Sequence, residues 1–231
     1  MESVWFRAPR PAREAPLTRA RIVSEAVALL DAEGAERLTM RRLAERLGSG
    51  VTTLYWHVRT KDDVLDLALD EVFGELDRCP APPGWRAGLV RLLSDWRAVL
   101  LRHPWSALLL GRRPLLGPHA LACTERLQAL LVAAGLRGPE LMASSYALSN
   151  YVTGCVVNQV GWRTQDEPAA RRAADEHLRA HAEHYPTLAE HLDVLDADWD
   201  GSFARGLGYL LDGITARLGS SAAGADTLAL E

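Results

Sequence analysis

The sequence predicts an all-α protein, with a small three-helix head followed by a larger helical bundle. Apolar residues recur at helical spacing in almost every segment, no segment alternates convincingly with period two, and proline or glycine separates the segments. The 231 residues are 48% hydrophobic and 24% charged, which suits one large globular domain or a small domain joined to a larger one. This composition excludes collagen-like and disulfide-scaffold proteins.

The charge is unevenly distributed along the chain. The formal net charge is -4, yet residues 1–61 contain 11 Lys and Arg against 7 Asp and Glu, so a basic head precedes an acidic body. Such asymmetry indicates that the head meets a polyanion while the body is repelled from it.

The cysteines and the N-terminus indicate a cytoplasmic protein. Cys79, Cys123 and Cys155 form an odd set without CxxC spacing, so we expect neither a disulfide framework nor a zinc site. Residues 1–16 are predicted to be a disordered basic arm, because they contain arginines and prolines but no apolar stretch typical of a signal peptide. No run reaches the ~18 apolar residues that a membrane span needs.

The first two helices of the head have clear boundaries. The first is predicted from Thr18 to Glu33, with Gly34 placed where a helix C-terminus favours positive φ. Thr39 is predicted to cap a second helix that runs to Leu47. Its predicted inward side consists of Leu43, Ala44 and Leu47.

A third helix is predicted over Val51–Val58, although the β-branched and aromatic residues of this segment favour a strand by propensity. Val51, Leu54, Tyr55 and Val58 fall at i, i+3, i+4 and i+7, which is one face of a helix. A glycine turn between two short helices is typical of a helix-turn-helix. The opposite face then presents Thr52, Thr53, Trp56 and His57.

A capping box at Thr60–Asp63 is predicted to open a fourth helix that continues to Leu76, and the Pro/Gly cluster Cys79–Gly84 breaks it. The predicted domains are a head over residues 17–63, a body over 64–218 and a flexible tail over 219–231. The body helices are predicted at Trp85–Arg102, Trp105–Leu110, Pro118–Ala134, Pro139–Trp162, Ala169–Glu183, Thr187–Leu195 and Ser202–Leu218, with loops at Thr164–Pro168 and Asp196–Gly201.

The exposed face of the third helix has the chemistry of a DNA-reading surface. Its hydroxyl, indole and imidazole groups, with the Tyr55 hydroxyl at the edge, can contact base edges, thymine methyls and phosphates. Arg41 is the best candidate for a bidentate guanine contact, and Lys61 for a phosphate contact beside a helix N-terminus. A small helical bundle with a merely polar surface remains the alternative.

Residues 17–69 closely resemble the DNA-binding domain of the tetracycline-repressor (TetR) family, above all in Thr53-Leu-Tyr-Trp-His-Val58 and Lys61. Val51 and Thr52 stand where the repressor's recognition helix has a glutamine and a proline, so the resemblance does not imply that the operator is the tetracycline operator. The resemblance implies a homodimeric, ligand-responsive repressor that binds a palindromic operator. It implies DNA-facing positions at Thr39, Arg41, Val51, Thr52, Thr53, Tyr55, Trp56, His57 and Lys61.

The resemblance continues more faintly through the body, in Leu100–Pro104, Leu110–Pro114, Tyr151–Val156 and Gly206–Gly213. It implies a small-molecule pocket and a dimer built as a four-helix bundle from the helices near Pro139–Trp162 and Ser202–Leu218. Gly154, Gly206 and Gly213 would permit close approach there. By that likeness, the positions that match the repressor's polar groups for magnesium-tetracycline are Glu75, Leu92, Leu109, Arg112 and Asn158. The resemblance therefore does not imply the side chains that hold a metal chelate in the repressor. Trp96 preserves an aromatic position.

A flat or bulky apolar ligand is expected instead, with Arg112 and Asn158 as polar handles. For any single aromatic residue of this pocket, ordinary core packing is the stronger reading. The predicted lining consists of Leu92, Trp96, Trp105, Leu109, Tyr151, Val157 and Trp162.

No cofactor is expected. His177, His181 and His184 fall at i, i+4 and i+7 and could hold a metal, but neighbouring Arg179 and Glu183 favour a solvated surface. No enzyme motif appears, so catalysis is not expected. The alternatives are a regulator with no small-molecule effector, and an enzyme or binding module that retains the head.

Overall fold

The computed structural model describes residues 17–78, 82–163, 166–191 and 198–228, and in these the predicted all-α class is confirmed, since they contain no strand. The predicted arm at residues 1–16 and Cys79 lie outside the described residues. The helices are α1 (Arg19–Glu33), α2 (Met40–Arg46), α3 (Val51–Tyr55), α4 (Lys61–Gly74) with a 3-10 turn at Glu75–Arg78, α5 (Trp85–Arg102), α6 (Pro104–Leu110), α7 (Pro118–Ala134), α8 (Gly138–Arg163), α9 (Glu167–Ala180), α10 (Pro186–Glu190) and α11 (Trp199–Leu228).

The chain divides into two compact units, Met1–Glu71 and Val72–Glu231. The helix α4 is continuous along the chain through this boundary. The predicted domain limits at residues 63 and 218 remain predictions.

In the first unit, α1 packs on α2 and α2 packs on α3. The hydroxyl of Thr18 accepts a hydrogen bond from the Arg21 N–H at 3.2 Å, and the hydroxyl of Thr39 accepts one from the Arg42 N–H at 3.1 Å. These caps satisfy backbone donors that a helix N-terminus leaves unpaired, and they fix where both helices begin. The inward side of α2 is buried as predicted, at Leu43, Ala44 and Leu47.

The third segment is helical rather than extended, as predicted, although regular α-helix covers only Val51–Tyr55. Leu54 and Val58 are buried, so helical burial outweighs the strand propensity of the segment. Tyr55, predicted on the inward face, is 49% exposed. The helix is too short for a full apolar stripe, and Tyr55 lies at its last turn.

In the second unit, α5 and α8 are central, because α5 packs on α7 and α8 while α6, α7 and α11 all pack on α8. The apolar faces of α5, α6, α7, α8 and α11 together supply most of the buried hydrophobic side chains described for this unit. By contrast, α9 and α10 contact each other and contain no buried residue.

The predicted boundaries at the C-terminal end differ most from the structure. Asp198 accepts a hydrogen bond from the Gly201 N–H at 2.8 Å, so α11 begins at Trp199 inside the predicted loop. The helix continues through Leu228, so residues 219–228 of the predicted tail are helical, in a segment whose alanines have high helix propensity. α9 ends at Ala180 instead of Glu183, and residues 192–195 of the next predicted helix lie outside the described residues.

Candidate nucleic-acid interface and ligand site

The third helix presents a continuous polar and aromatic surface. Thr52, Thr53 and His57 are exposed, and the Trp56 side chain is 84% exposed. Trp56 follows Tyr55, which is 49% exposed, so the two rings place aromatic surface in solvent beside these polar groups. The buried Leu54 anchors the opposite side of the helix, so this surface is held in a fixed orientation.

Arg41 lies on the exposed side of α2. Its Nε donates to Glu45 Oε1 at 3.0 Å, and the two side chains are 84% and 62% exposed. An exposed pair of this kind contributes little to stability, so the guanidinium can exchange Glu45 for a base edge at low cost.

The capping box predicted at the start of α4 is present. The Thr60 hydroxyl accepts from the Asp63 N–H at 3.0 Å, while Asp63 Oδ2 accepts from the Thr60 N–H at 3.3 Å and from the Arg59 N–H at 2.8 Å. The hydrogen bond from the Thr60 hydroxyl, and then that from the Arg59 backbone, hold the pKa of Asp63 below its usual value. Lys61 beside this cap donates from Nζ to the Ala35 carbonyl at 3.1 Å, which leaves further ammonium donors for a phosphate.

The residues predicted to line a ligand pocket separate into two groups. Leu92, Trp96, Trp105 and Leu109 are buried, and Tyr151 and Trp162 are partly buried. Val157 and the two expected polar handles, Arg112 and Asn158, are exposed. The interior part of the predicted lining is therefore apolar and aromatic.

Trp96 packs edge to face against Phe73, with ring centroids 5.6 Å apart and an interplanar angle of 65°. Its Nε1 is buried, and no described residue accepts a hydrogen bond from it. Buried donors are usually satisfied, so this one calls for a physical reason.

Trp162 has a structural partner. The guanidinium of Arg171 lies over both Trp162 and Trp199, with Cζ 4.8 and 5.5 Å from the ring centroids. Glu167 accepts from Arg171 Nη2 at 2.8 Å and from Trp199 Nε1 at 3.1 Å. These contacts fix the start of α9 against α8 and α11, and they favour ordinary packing as the role of Trp162.

Glu75 is engaged by two basic side chains. Its carboxylate accepts from Arg102 Nη2 at 2.5 Å and lies 3.0 Å from Nε2 of His103, a buried histidine. Partial burial would raise the pKa of Glu75, but the hydrogen bonds from Arg102 and His103 outweigh it and hold the pKa below its usual value.

Tyr151 stacks on Phe203 with centroids 5.4 Å apart, and its hydroxyl donates to the Phe203 carbonyl at 3.0 Å. Burial, and then the neighbouring Cys155, raises the pKa of Tyr151 to about 12. A Cβ at Gly206 would collide with this hydroxyl, so Gly206 serves packing within the protomer. Tyr151 is thus fixed as a neutral phenol between α8 and α11.

A buried arginine next to Trp96 was not predicted from the sequence. Arg97 donates to Asp200 Oδ1 and to Gln159 Oε1, each at 2.7 Å, and its Cζ lies 5.0 Å from the centroid of Phe203. This cluster joins α5, α8 and α11. An arginine in an amphipathic helix is normally solvated, and the partners that allow Arg97 to be buried lie far away in the sequence, so no local pattern predicts its burial.

In the described parts of the chain, no group of three or more His, Cys, Asp or Glu side chains is arranged to hold a metal ion. The predicted histidine stripe is interrupted, because α9 ends at Ala180 and His184 lies beyond it. The His177 and His181 rings lie 4.3 Å apart and are solvent-exposed. Over the same described segments, no helix is long and apolar enough to cross a membrane.

A groove of about 410 Å³ lies between α8 and α11. Tyr146, Met142 and Tyr209 are exposed on the same two helices. A Cβ at Gly154 or Gly213 would meet nothing within 4 Å, so both glycines face open space in the single chain. The groove is lined by Glu140, Ala143, Ser144, Ala147, Leu148, Leu210, Gly213, Ile214 and Arg217.

Comparisons with known proteins agree across nearly the whole chain. Residues 22–68 match the family model of bacterial regulatory proteins of the tetR family, and residues 79–218 match that of the tetracyclin repressor-like C-terminal domain. An HTH-type transcriptional regulator of Saccharopolyspora erythraea is 49% identical over 220 residues, which cover 94% of this chain and 93% of that protein.

Two further proteins extend the likeness. The HTH-type transcriptional repressor DrrR1 of Streptomyces coeruleorubidus is 34% identical over 229 residues, covering 93% of this chain and 84% of that protein. The crystal structure of the Streptomyces coelicolor TetR family protein ActR in complex with actinorhodin has a TM-score of 0.80 and 32% identity, and it covers 89% of this chain and 100% of that one.

Proposed function

The chain belongs to the TetR family of transcriptional regulators, and we propose that it is a cytoplasmic homodimeric repressor. In this proposal the dimer binds a roughly palindromic operator and is released by a small, largely apolar molecule. The observation that carries the DNA-binding part is the exposed face of α3 with Trp56, together with the exposed Arg41 on α2, the helix that packs on α3.

DNA recognition follows from the position of these groups. Thr52, Thr53, Tyr55, Trp56 and His57 on and after α3 are proposed to enter the major groove, where short polar and aromatic groups meet base edges. Val51, half-buried at the start of α3, lies at the edge of this surface. Thr39, Arg41 and Lys61 complete the contact: Arg41 reads a base, while Thr39 and Lys61 lie where phosphates approach helix N-termini.

Dimerisation is supported by the unburied face of α8 and α11. Tyr146 and Tyr209 extend from it, and a second copy would cover them in an isologous four-helix contact. Two heads on successive major grooves of a palindrome must lie about 34 Å apart, which a rigid dimer body can enforce. Contact with the second copy would also bury part of α9 and α10, which contain no buried residue in the single chain.

An apolar aromatic ligand is supported by the interior side chains. Leu92 and Leu109 are buried, apolar and lack any atom that could bind a metal chelate, while Glu75 is committed to Arg102 and His103. A related protein, ActR, has been crystallised with actinorhodin. We therefore assign the ligand to the flat aromatic class.

Release requires a difference in affinity between two conformations. A ligand that binds more tightly to a dimer whose heads no longer match the operator lowers DNA affinity by the coupling free energy, typically about 1–3 kcal/mol.

The test is a titration of fluorescent duplexes by fluorescence anisotropy at a stated salt concentration. Duplexes from the region flanking the protein's own gene are compared with random duplexes of equal length. We expect affinity for the best flanking duplex to exceed that for random DNA by about 10³-fold or more. Equal affinity for all duplexes would overturn the proposed function.

A further inference from the structure

The indole N–H of Trp96 is a hydrogen-bond donor held inside the second unit. The side chain is 5% exposed, and no described residue accepts from Nε1. A buried donor without an acceptor costs free energy in the folded protein, so native structures contain few of them.

Other polar groups of the same unit do find partners. The Trp199 Nε1 donates to Glu167 at 3.1 Å, and the Ser106 hydroxyl donates to the His103 carbonyl at 2.7 Å. Even the buried Arg97 has two of its nitrogens paired, although its Nε is not. The open donor of Trp96 is therefore not a general property of this interior.

The Trp96 ring is held in place by apolar neighbours. Phe73 packs against it edge to face, and both rings are buried. Leu89 and Leu92 precede Trp96 by seven and four residues on the same face of α5, and both are buried. A donor in such surroundings forms a stronger hydrogen bond than one in water, because the local dielectric is low.

We propose that Trp96 Nε1–H is the donor that recognises a carbonyl or quinone oxygen of a flat aromatic ligand. This inference rests on the proposed function and deepens it, since it names the acceptor that the ligand must carry. The polar handles expected from the sequence, Arg112 and Asn158, are exposed, so Trp96 adds a buried donor to them.

The physical consequence is selectivity for an oxygen acceptor. A ligand without the acceptor leaves the donor buried and unpaired in the complex as well, whereas a carbonyl ligand satisfies it. Shape alone would distinguish two flat tricyclic molecules far less.

The test compares anthraquinone-2-carboxylate, which has ring carbonyls, with anthracene-2-carboxylate, which has none. Both are titrated by calorimetry against the full chain and two variants, Trp96→Phe and the matched control Trp199→Phe. We expect the wild type and Trp199→Phe to prefer the quinone by about tenfold, and Trp96→Phe to lose this preference while still binding the anthracene.

A second measurement does not depend on the variants folding. In ¹H–¹⁵N spectra of the wild type, the Trp96 indole N–H is identified by its through-space contact with the Phe73 ring, and Trp199 serves as reference. We expect the quinone to move the Trp96 signal downfield and to leave the Trp199 signal in place.

The outcomes separate the two claims. An unmoved Trp96 signal, or a preference that survives in Trp96→Phe, overturns the role of Trp96. If neither carboxylate binds although other compounds release the protein from DNA, the carbonyl-acceptor class is wrong and the proposed function stands. If no compound releases it from DNA, the ligand response itself fails.

Discussion

Replacement of Arg41 by alanine tests base reading with little disturbance of the fold. In the free protein its described hydrogen-bond partner is Glu45, and both side chains are mostly exposed. An exposed i,i+4 pair contributes about 0.3–0.5 kcal/mol, so the free energy of unfolding should change by no more than about 0.5 kcal/mol.

The effect on DNA should be much larger. A bidentate contact to guanine is worth about 1–3 kcal/mol of discrimination, which corresponds to a loss of roughly 5- to 150-fold in affinity for the cognate duplex. Random duplexes offer no fixed guanine, so their affinity should fall by far less. The specificity ratio is therefore the quantity that changes.

The assay is a pair of anisotropy titrations, on a duplex obtained by selection and on a scrambled duplex, over a series of salt concentrations. Two variants serve as comparisons. Arg42→Ala makes the same charge change at a residue paired with Glu33, and Lys61→Ala should weaken all duplexes alike and flatten the salt slope by about one unit. Equal losses on cognate and scrambled DNA for Arg41→Ala would refute its base-reading role.

Three further perturbations test the head, the body and the dimer. Because the pKa of Asp63 is lowered in the folded protein, its carboxylate stabilises the fold above its unfolded pKa, and this stabilisation is lost as pH falls through the folded pKa. Acid unfolding monitored by circular dichroism should therefore show a loss of stability below about pH 4 that is smaller in Asp63→Asn. An identical loss in the variant would contradict this. Gly206→Ala forces a methyl group against the hydrogen-bonded Tyr151 hydroxyl and should cost about 1–3 kcal/mol in urea unfolding, and an unchanged midpoint would refute that packing. Tyr209→Glu, at a side chain 73% exposed on α11, should raise the dimer dissociation constant by about tenfold or more in sedimentation, and an unaltered dimer would place the interface elsewhere.

Local patterns made the helices predictable where a cap or a breaker was present. Thr39 caps the second helix as predicted, Thr18 at the predicted start of the first helix caps that one, and the bounds of α5 and α7 agree with the predicted residues. The boundaries that differ lie where two signals conflict. At Asp198, for example, a polar cluster typical of a loop is also a good helix cap.

The candidate ligand site was less predictable, because burial and partnership depend on residues distant in sequence. The sequence placed Trp96 and Trp162 in one lining, but Arg171 packs over the Trp162 ring as well as over Trp199. The buried Arg97 was missed because its partners lie 62 and 103 residues away. An aromatic residue at helical spacing cannot by itself distinguish a ligand contact from core.

Hydroxyl-radical footprinting of the full chain on a selected duplex, with both strands labelled, tests directly whether the protein binds DNA as a symmetric dimer. Two symmetric heads in successive major grooves should protect two tracts related by a two-fold axis, with centres about one helical turn, or roughly 10 base pairs, apart. A single tract without symmetry, or protection spread evenly along the duplex, would rule out binding by a symmetric dimer.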